Sequence, residues 1–227
     1  KAKTVVLATD ERFGYERLVI ATGSNPVIPP IPGNDKRSIF AIQKDVPYLT
    51  TVIEALGQAH HLCIVGCGFI GVEIAEECKR HRPGLTVTIV EMLTHCLQLV
   101  YDEEFCVKAE ATLKEQGISL LLDEKVVSFE GGEAVEGVKL GSGRMLDADM
   151  VILGIGAAAN TSIATKAGLE IGPTKGIQVN RYMQSSDNAV FACGDCAEKV
   201  SFFDGKPSAL KLASIATMEA RVAGANL

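Results

Sequence analysis

Residues 61–92 decide the fold and read HLCIVGCGFIGVEIAEECKRHRPGLTVTIVEM. An apolar run at residues 62–65 has the length of a buried strand. A glycine-rich turn follows it, and then a stretch with the apolar spacing of a helix. A second apolar run at residues 87–90 ends on Glu91. The order strand, glycine turn, helix, strand and acid predicts the first half of a dinucleotide-binding unit.

The helix in this stretch is predicted to be amphipathic and to start inside the glycine turn. Pro83 and Gly84 end it. Its apolar stripe consists of Ile70, Ile74, Ala75 and Cys78, and most of its charges lie on the opposite face, at Glu73, Glu76, Glu77, Lys79 and Arg80.

Each glycine of the turn has a mechanical reason. Gly66 allows the sharp turn, Gly68 lets the backbone approach a pyrophosphate, and Gly71 lets the helix pack closely on the strand. The start of the helix offers unpaired N–H groups and a partial positive charge to phosphates. The alternative is a tight strand–helix turn that binds nothing.

Glu91 follows Gly71 by 20 residues, the spacing of the acid that binds the ribose in such units. Its carboxylate can accept two hydrogen bonds from a ribose diol and would repel the extra phosphate of NADP. We therefore expect a preference for NADH. The alternative is an ordinary solvated glutamate.

Composition and charge exclude several classes of protein. The chain has 227 residues, 47 % of them hydrophobic, and a net charge of −6 that argues against nucleic acid or an anionic membrane as partner. No apolar stretch is long enough to span a bilayer, and we see no signal peptide, so we expect a cytoplasmic protein. Because the chain begins with Lys1 in what looks like a strand, we expect a fragment of a longer protein.

The seven cysteines predict neither a disulfide framework nor a metal site. An odd number without a secretion signal argues against disulfides. Cys193 and Cys196 form a CxxC that suits a redox pair or half a zinc site, but the only other close pair, Cys63 and Cys67, lies at the turn assigned to phosphate. The histidines also lack ligand spacing, and we expect solvated side chains at positions 60, 61, 81 and 95.

The chain before the glycine turn predicts a hairpin, a connector and a helix. Strands at residues 3–8 and 15–21 are expected to pair around a turn at 10–14. The proline-rich residues 24–33 form an extended connector. Residues 45–59 are predicted to be helical, with a buried stripe of Val46, Leu49, Val52, Ile53 and Leu56.

After Glu91 the pattern continues as a parallel sheet. A helix at residues 103–116, capped by Asp102, leads to a third strand at 118–122. Further strands are expected at 125–130, 134–140 and 148–153, the first two as a hairpin. The fold class is therefore α/β, a Rossmann-like domain whose last crossover is a β-meander.

Residues 157–227 have too little apolar content for a domain of their own. A short helix at 160–167, strands at 177–179 and 189–192, and a helix at 210–226 are expected. We interpret this segment as the return of the chain into a domain begun by residues 1–33. The nucleotide-binding domain then spans residues 34–156.

Three segments resemble the FAD-dependent pyridine nucleotide–disulfide oxidoreductases, and most of all the NADH oxidases, coenzyme A disulfide reductases and ferredoxin reductases. Residues 15–26, YERLVIATGSNP, resemble the strand and ATG turn whose backbone touches FAD. Residues 66–73, GCGFIGVE, resemble the NAD turn and the glutamate after it. Residues 190–195, VFACGD, resemble the second FAD motif.

The resemblance implies the cofactors and most of the site. It implies FAD bound by the partial domain of residues 1–33 and 157–227, with Asp195 accepting hydrogen bonds from the flavin ribityl chain, and NADH bound by residues 34–156. It places the reactive cysteine, a further FAD motif and the domain that forms a homodimer outside the chain. The expected cofactor-binding residues are Gly66, Gly68, Phe69, Ile70, Gly71, Glu73, Glu91, Gly154, Gly156, Thr22, Gly23 and Asp195.

The implied function is hydride transfer from NADH to FAD and then to a disulfide, oxygen or a redox protein. The fragment alone is expected to bind NADH weakly and little or no FAD, and to be inactive. The alternative is a non-catalytic module that senses the redox state of NAD. The turns at Thr22-Gly23 and Gly194-Asp195 favour the enzyme, because a sensor needs only the NAD turn.

Overall fold

The structure is a computed structural model that describes residues 3–227. The chain forms two compact units: one of Lys1–Asn25 with Ala158–Leu227, and one of Pro26–Ala157. The helices are α1 (Val46–Gln58), α2 (Phe69–His81), α3 (Glu103–Glu115), α4 (Ser162–Ala167) and α5 (Ala213–Ala225). The strands are β1 (Thr4–Val6), β2 (Arg12–Gly14), β3 (Leu18–Ile20), β4 (Ser24–Pro26), β5 (Ile39–Ala41), β6 (His61–Val65), β7 (Thr86–Val90), β8 (Ile118–Leu121), β9 (Val126–Glu130), β10 (Gly137–Leu140), β11 (Met145–Asp147), β12 (Met150–Leu153), β13 (Ala157–Ala159), β14 (Val190–Ala192), β15 (Lys199–Val200) and β16 (Pro207–Ser208).

A five-stranded parallel sheet in the order β5-β12-β6-β7-β8 forms the centre of the unit Pro26–Ala157. Successive residues of its strands are buried on opposite faces, Ile64 and Ile89 in one cluster and Cys63 and Val90 in the other. A sheet buried on both faces needs the continuous apolar runs that the sequence has. The predicted parallel sheet is confirmed, and β5 is an additional edge strand.

The helices α1, α2 and α3 pack against the first of these clusters, and the predicted stripe of α2 is confirmed at Ala75 and Cys78. The predicted stripe of α1 is partly wrong. Val46 is 77 % and Ile53 is 67 % exposed, whereas Val52 is buried beside the partly buried Ala55 and Leu56. The packed face of the helix therefore includes Ala55 and excludes Val46 and Ile53.

The other face of the sheet is covered by an antiparallel layer in the order β11-β10-β9. Phe129, Val138 and Leu140 of this layer are buried in the second cluster. The predicted meander is therefore confirmed. Strand β11 was not predicted and lies in the connection between β10 and β12.

The other unit contains β3 and β14 as a parallel pair, in the register Val19 with Phe191. The predicted hairpin is wrong in its pairing. Strand β1 pairs with β2, inside the stretch that we expected to be a turn, because β3 pairs with β14 instead. The expected strand at residues 177–179 is also wrong, since Ile177 makes only isolated bridges, to Ile171 and Ala197. Among residues 3–227, no helix has the length and apolar character needed to cross a bilayer.

We expect Val52→Ala to lower the free energy of unfolding by about 1–3 kcal/mol, because it removes buried methyl groups from the face of α1 that packs on the sheet. The neighbouring Ile53→Ala is the matched control and should change it by less than about 0.5 kcal/mol. Urea unfolding followed by circular dichroism measures both. A larger effect at Ile53 than at Val52 would contradict this orientation of α1.

Candidate cofactor-binding site

Three glycines allow helix α2 to approach the ends of β6 and β12 without intervening side chains. A methyl group at Gly71 would lie 2.0 Å from the carbonyl oxygen of Gly66, and one at Gly66 would lie 2.8 Å from that of Gly154. Gly66 also has a positive φ of 102°, which favours glycine. Gly154 in turn faces Gly71, with its ideal Cβ 3.2 Å from the Gly71 Cα atom. The close packing predicted for Gly71 is thus present, and Gly154 completes it.

Gly68 is different from these three, because open space lies in front of it. It is exposed, and no atom lies within 4 Å of the position that a Cβ would occupy. Gly68 is the N-cap of α2, and no side chain caps the helix. The backbone N–H groups of Phe69 and Ile70, in the first turn, therefore receive no hydrogen bond acceptor from a capping side chain. An uncapped helix of 13 residues behind an open glycine turn fits a phosphate group.

Glu91 lies directly after β7, and its carboxylate is bound to the glycine turn. Its Oε2 atom accepts the N–H of Cys67 at 2.7 Å, and its Oε1 atom accepts the N–H of Leu93 at 3.0 Å. Two carboxylate oxygens have about four acceptor positions, so capacity remains for hydroxyl donors. The acid is thus held next to the turn by the backbone.

A surface cavity of about 360 Å³ lies beyond Glu91, around the carboxyl ends of β7 and β8 and the turn between β10 and β11. Hydrogen bonds from Ser142 and other neighbours hold the pKa of the Glu124 carboxyl below its usual range. The sequence contains no local signal for this cavity, because its residues come from three separate loops. It is lined by Met92, Asp123, Glu124, Lys125, Gly141 and Ser142.

A disulfide joins Cys67 of the turn to Cys96, a single bond that the argument against a disulfide framework did not predict. The two residues follow the carboxyl ends of the neighbouring parallel strands β6 and β7. Their Cα atoms are therefore only 4.8 Å apart, although they are 29 residues apart in the sequence.

The expectation of a solvated side chain at His95 is wrong. Its Nδ1 atom lies 3.0 Å from the buried carboxylate of Glu110, which also accepts the N–H of Cys96.

In the other unit, the turns that follow β3 and β14 lie side by side. The hydroxyl of Ser24 donates to Oδ2 of Asp195 at 2.8 Å. Thr22 donates its hydroxyl to the carbonyl of Asn160 at 2.6 Å, and the N–H of Asn160 donates to the carbonyl of Gly23 at 2.9 Å. The structure thus brings Thr22, Gly23 and Asp195 together, and it adds Ser24 and Asn160 as supporting residues.

A buried ion pair holds the Gly194 peptide just before Asp195. Glu219 of α5 accepts the Gly194 N–H at 2.8 Å, and Lys199 donates to the Gly194 carbonyl at 2.7 Å. Lys199 and Glu219 lie 3.1 Å apart, with side chains only 8 % and 13 % exposed. The sequence pattern does not predict these contacts, because lysine and glutamate side chains are ordinarily solvated and nothing local marks Lys199 and Glu219 as buried.

Two predicted residues remain, Glu73 and Gly156. Glu73 is exposed on α2, and Gly156 has a positive φ of 99° and accepts the N–H of Val27. Cys193 and Cys196 are buried free thiols, and burial raises the pKa of Cys193. Residues 3–227 contain no cluster of three or more histidine, cysteine or acidic side chains suited to a metal ion.

The family model described as pyridine nucleotide-disulphide oxidoreductase matches residues 1–220. The chain belongs to this family. An NADH oxidase from Methanocaldococcus jannaschii is 35 % identical over 95 % of this chain and 47 % of its own length. A nitric oxide reductase FlRd-NAD(+) reductase from Pectobacterium atrosepticum is 36 % identical over 87 % of this chain and 50 % of its own length. The chain therefore spans about half the length of the curated relatives it matches.

Solved structures of the family share the fold of the whole chain. A NAD-dependent persulfide reductase from A. fulgidus has a TM-score of 0.93 and 31 % identity, and the match covers 99 % of this chain and 42 % of that one. A FAD-dependent pyridine nucleotide-disulphide oxidoreductase from Desulfovibrio vulgaris has a TM-score of 0.88 and 34 % identity, and the match covers 100 % of this chain and 58 % of that one. The water-forming NADH oxidase from Lactobacillus brevis, solved with NADH, has a TM-score of 0.89 and 28 % identity, and the match covers 100 % of this chain and 50 % of that one. The predicted fold class is confirmed.

We expect Gly71→Ala to lower the free energy of unfolding by about 3 kcal/mol, because its methyl group would collide with the backbone of Gly66 and force the turn apart. Gly57→Ala is the control, since Gly57 lies within α1 with open space around it. That change should stabilise the protein by about 0.5–1 kcal/mol. Equal effects of the two changes in urea unfolding would contradict the close approach of α2 to β6.

Proposed function

We propose that this chain is the nucleotide-binding part of an NADH-dependent flavoprotein oxidoreductase. The observation that carries the proposal is the open, uncapped start of α2 at Gly68, held against the sheet by Gly66, Gly71 and Gly154. The amides of this turn are fixed before a ligand arrives, so little entropy is lost when they bind a pyrophosphate. The binding of NADH by the Lactobacillus brevis oxidase supports the same role here.

Glu91 would select NADH over NADPH. Its carboxylate lies beside the turn and keeps acceptor capacity for the two hydroxyl groups of the adenosine ribose. A phosphate on that ribose would place a second negative charge at the carboxylate, which costs free energy where water is partly excluded. The cavity lined by Met92 and Glu124 lies next to Glu91 and would receive the adenine ring.

The turns at Thr22-Gly23 and Gly194-Asp195 would hold FAD. They sit at the carboxyl ends of the parallel strands β3 and β14, the place where nucleotides bind in sheets of this kind. The Asp195 carboxylate, oriented by Ser24, would accept hydrogen bonds from hydroxyl groups of the flavin side chain. Flavin, when bound, supplies the capacity to take up a hydride and pass electrons on, while the protein supplies binding and orientation.

The whole protein would use NADH to reduce an acceptor through FAD. The names of the relatives differ in the acceptor, since they include an NADH oxidase, a persulfide reductase and a reductase for a nitric oxide reductase flavorubredoxin system. They share with this chain a segment of about half their own length, which we propose to be the nucleotide-binding part. The acceptor is a disulfide, oxygen or a redox protein, chosen by residues outside this part.

We expect Gly68→Ala to weaken NADH binding about tenfold or more while the melting temperature stays within a few degrees of the parent protein. The added methyl group meets no protein atom, so it costs little stability, but it occupies the space in front of the helix start. Isothermal titration calorimetry with NADH measures the affinity. Gly132→Ala, a change at another open glycine in the β9–β10 turn, should leave it unchanged.

We expect Glu91→Gln to weaken NADH binding by about 1.5–3 kcal/mol, the range for a lost hydrogen bond to a charged group, and to bring the affinity for NADPH close to that for NADH. Glu54→Gln is the control, because it removes the same charge at an exposed acid of α1. It should change neither the affinity for NADH nor the affinity for NADPH. Titrations of the parent protein with both nucleotides come first. Equal affinities, or a preference for NADPH, would exclude Glu91 from the selecting role.

A further inference from the structure

The Cys67–Cys96 disulfide lies directly beneath the phosphate-binding turn. Cys67 stands between Gly66 and Gly68, and both cysteines are fully buried. The backbone of Cys67 serves two further contacts, since its N–H donates to Glu91 and its carbonyl accepts the N–H of Leu97 at 2.8 Å. One residue thus joins the turn, the acid and the loop that follows β7.

The opposite end of the disulfide is anchored independently. The N–H of Cys96 donates to the buried carboxylate of Glu110 on α3, and His95 contacts the same carboxylate. The loop therefore stays attached to α3 whether or not the disulfide is formed. The disulfide is the covalent connection between this fixed loop and the phosphate-binding turn.

We propose that Cys67 and Cys96 form a reversible redox site that sets the affinity of the turn for NADH, with the disulfide form binding more tightly. The inference rests on the proposed NADH site. In the disulfide form the turn is fixed to a loop that is itself bound to α3, so its amides lose less freedom when they bind phosphate. In the dithiol form the backbone of Cys67 keeps its hydrogen bonds to Glu91 and Leu97, but the covalent link between the turn and the loop is lost.

The chemistry is thiol–disulfide exchange with a small thiol such as glutathione. Two glutathione molecules are oxidised to one glutathione disulfide, and Cys67 and Cys96 take up the two electrons and two protons as thiols. Attack on the buried sulfurs requires the loop at residues 97–101 to open, and Leu99 in this loop is 85 % exposed. The buried thiols of Cys63 and Cys78 do not compete, because burial raises the pKa of Cys63 to about 12 and that of Cys78 to about 11.

Two measurements on the unmodified chain test the proposal. Alkylation after denaturation without reductant should label five of the seven cysteines, and all seven after reduction. Calorimetric titration with NADH should then give an affinity about threefold or more weaker for the reduced protein. Because binding and reduction are linked, saturating NADH should raise by the same factor the ratio of squared glutathione concentration to glutathione disulfide concentration at which half of the Cys67–Cys96 disulfide is reduced.

Cysteine variants separate this disulfide from the other thiols. Cys96→Ala and Cys67→Ala should both bind NADH like the reduced protein, whatever the redox buffer. Cys106→Ala is the matched control, since Cys106 is equally buried, contacts the Tyr101 carbonyl in the same region and is a free thiol. It should keep the full response to reductant.

Three results would overturn the inference. Seven labelled cysteines without reductant would mean that the disulfide does not form. Equal NADH affinities of the oxidised and reduced chains would remove the redox site and leave the proposed NADH function intact. No NADH binding in either state would overturn the proposed function and this inference with it.

Discussion

The direct contact of backbone with backbone at Gly66, Gly71 and Gly154 is the constraint on which the unit Pro26–Ala157 depends. Any side chain at Gly71 would separate helix α2 from the strand that precedes it. The helix start would then move away from the carboxyl ends of β6 and β12. Because the amide groups of that start are the proposed phosphate ligands, one packing contact determines both the fold and the site.

Much of this unit could be predicted from the sequence, because its signals are local. The apolar runs of β6 and β7, the glycine spacing and Glu91 lie within one stretch of residues 61–92. The features that could not be predicted depend on distant partners. Strand β5 is three residues long and is defined only by β12, and the Cys67–Cys96 bond requires the order of the strands.

The errors follow the same rule. The expected hairpin at the start of the chain failed because β3 finds its partner in β14, more than 160 residues later. The stripe of α1 was misplaced because Val46 and Ile53 have the right spacing and hydrophobicity but lie on the wrong side of the helix. Local pattern cannot distinguish two neighbouring apolar stripes when tertiary contacts choose between them.

In the other unit, buried charged side chains bind backbone groups of the turns. Glu198 is 8 % exposed and accepts three hydrogen bonds, from the N–H and hydroxyl of Thr174 and the N–H of Gly176. Lys199 and Glu219 hold the two sides of the Gly194 peptide. This buried pair thus fixes the orientation of the peptide that precedes Asp195.

The most direct test of the account is a crystal structure of this chain with NADH. We expect the pyrophosphate oxygens to accept hydrogen bonds from the backbone amides at residues 68–70 and the adenosine ribose hydroxyls to donate to Glu91. A nucleotide bound elsewhere on the unit, or a pyrophosphate held without those amides, would contradict it.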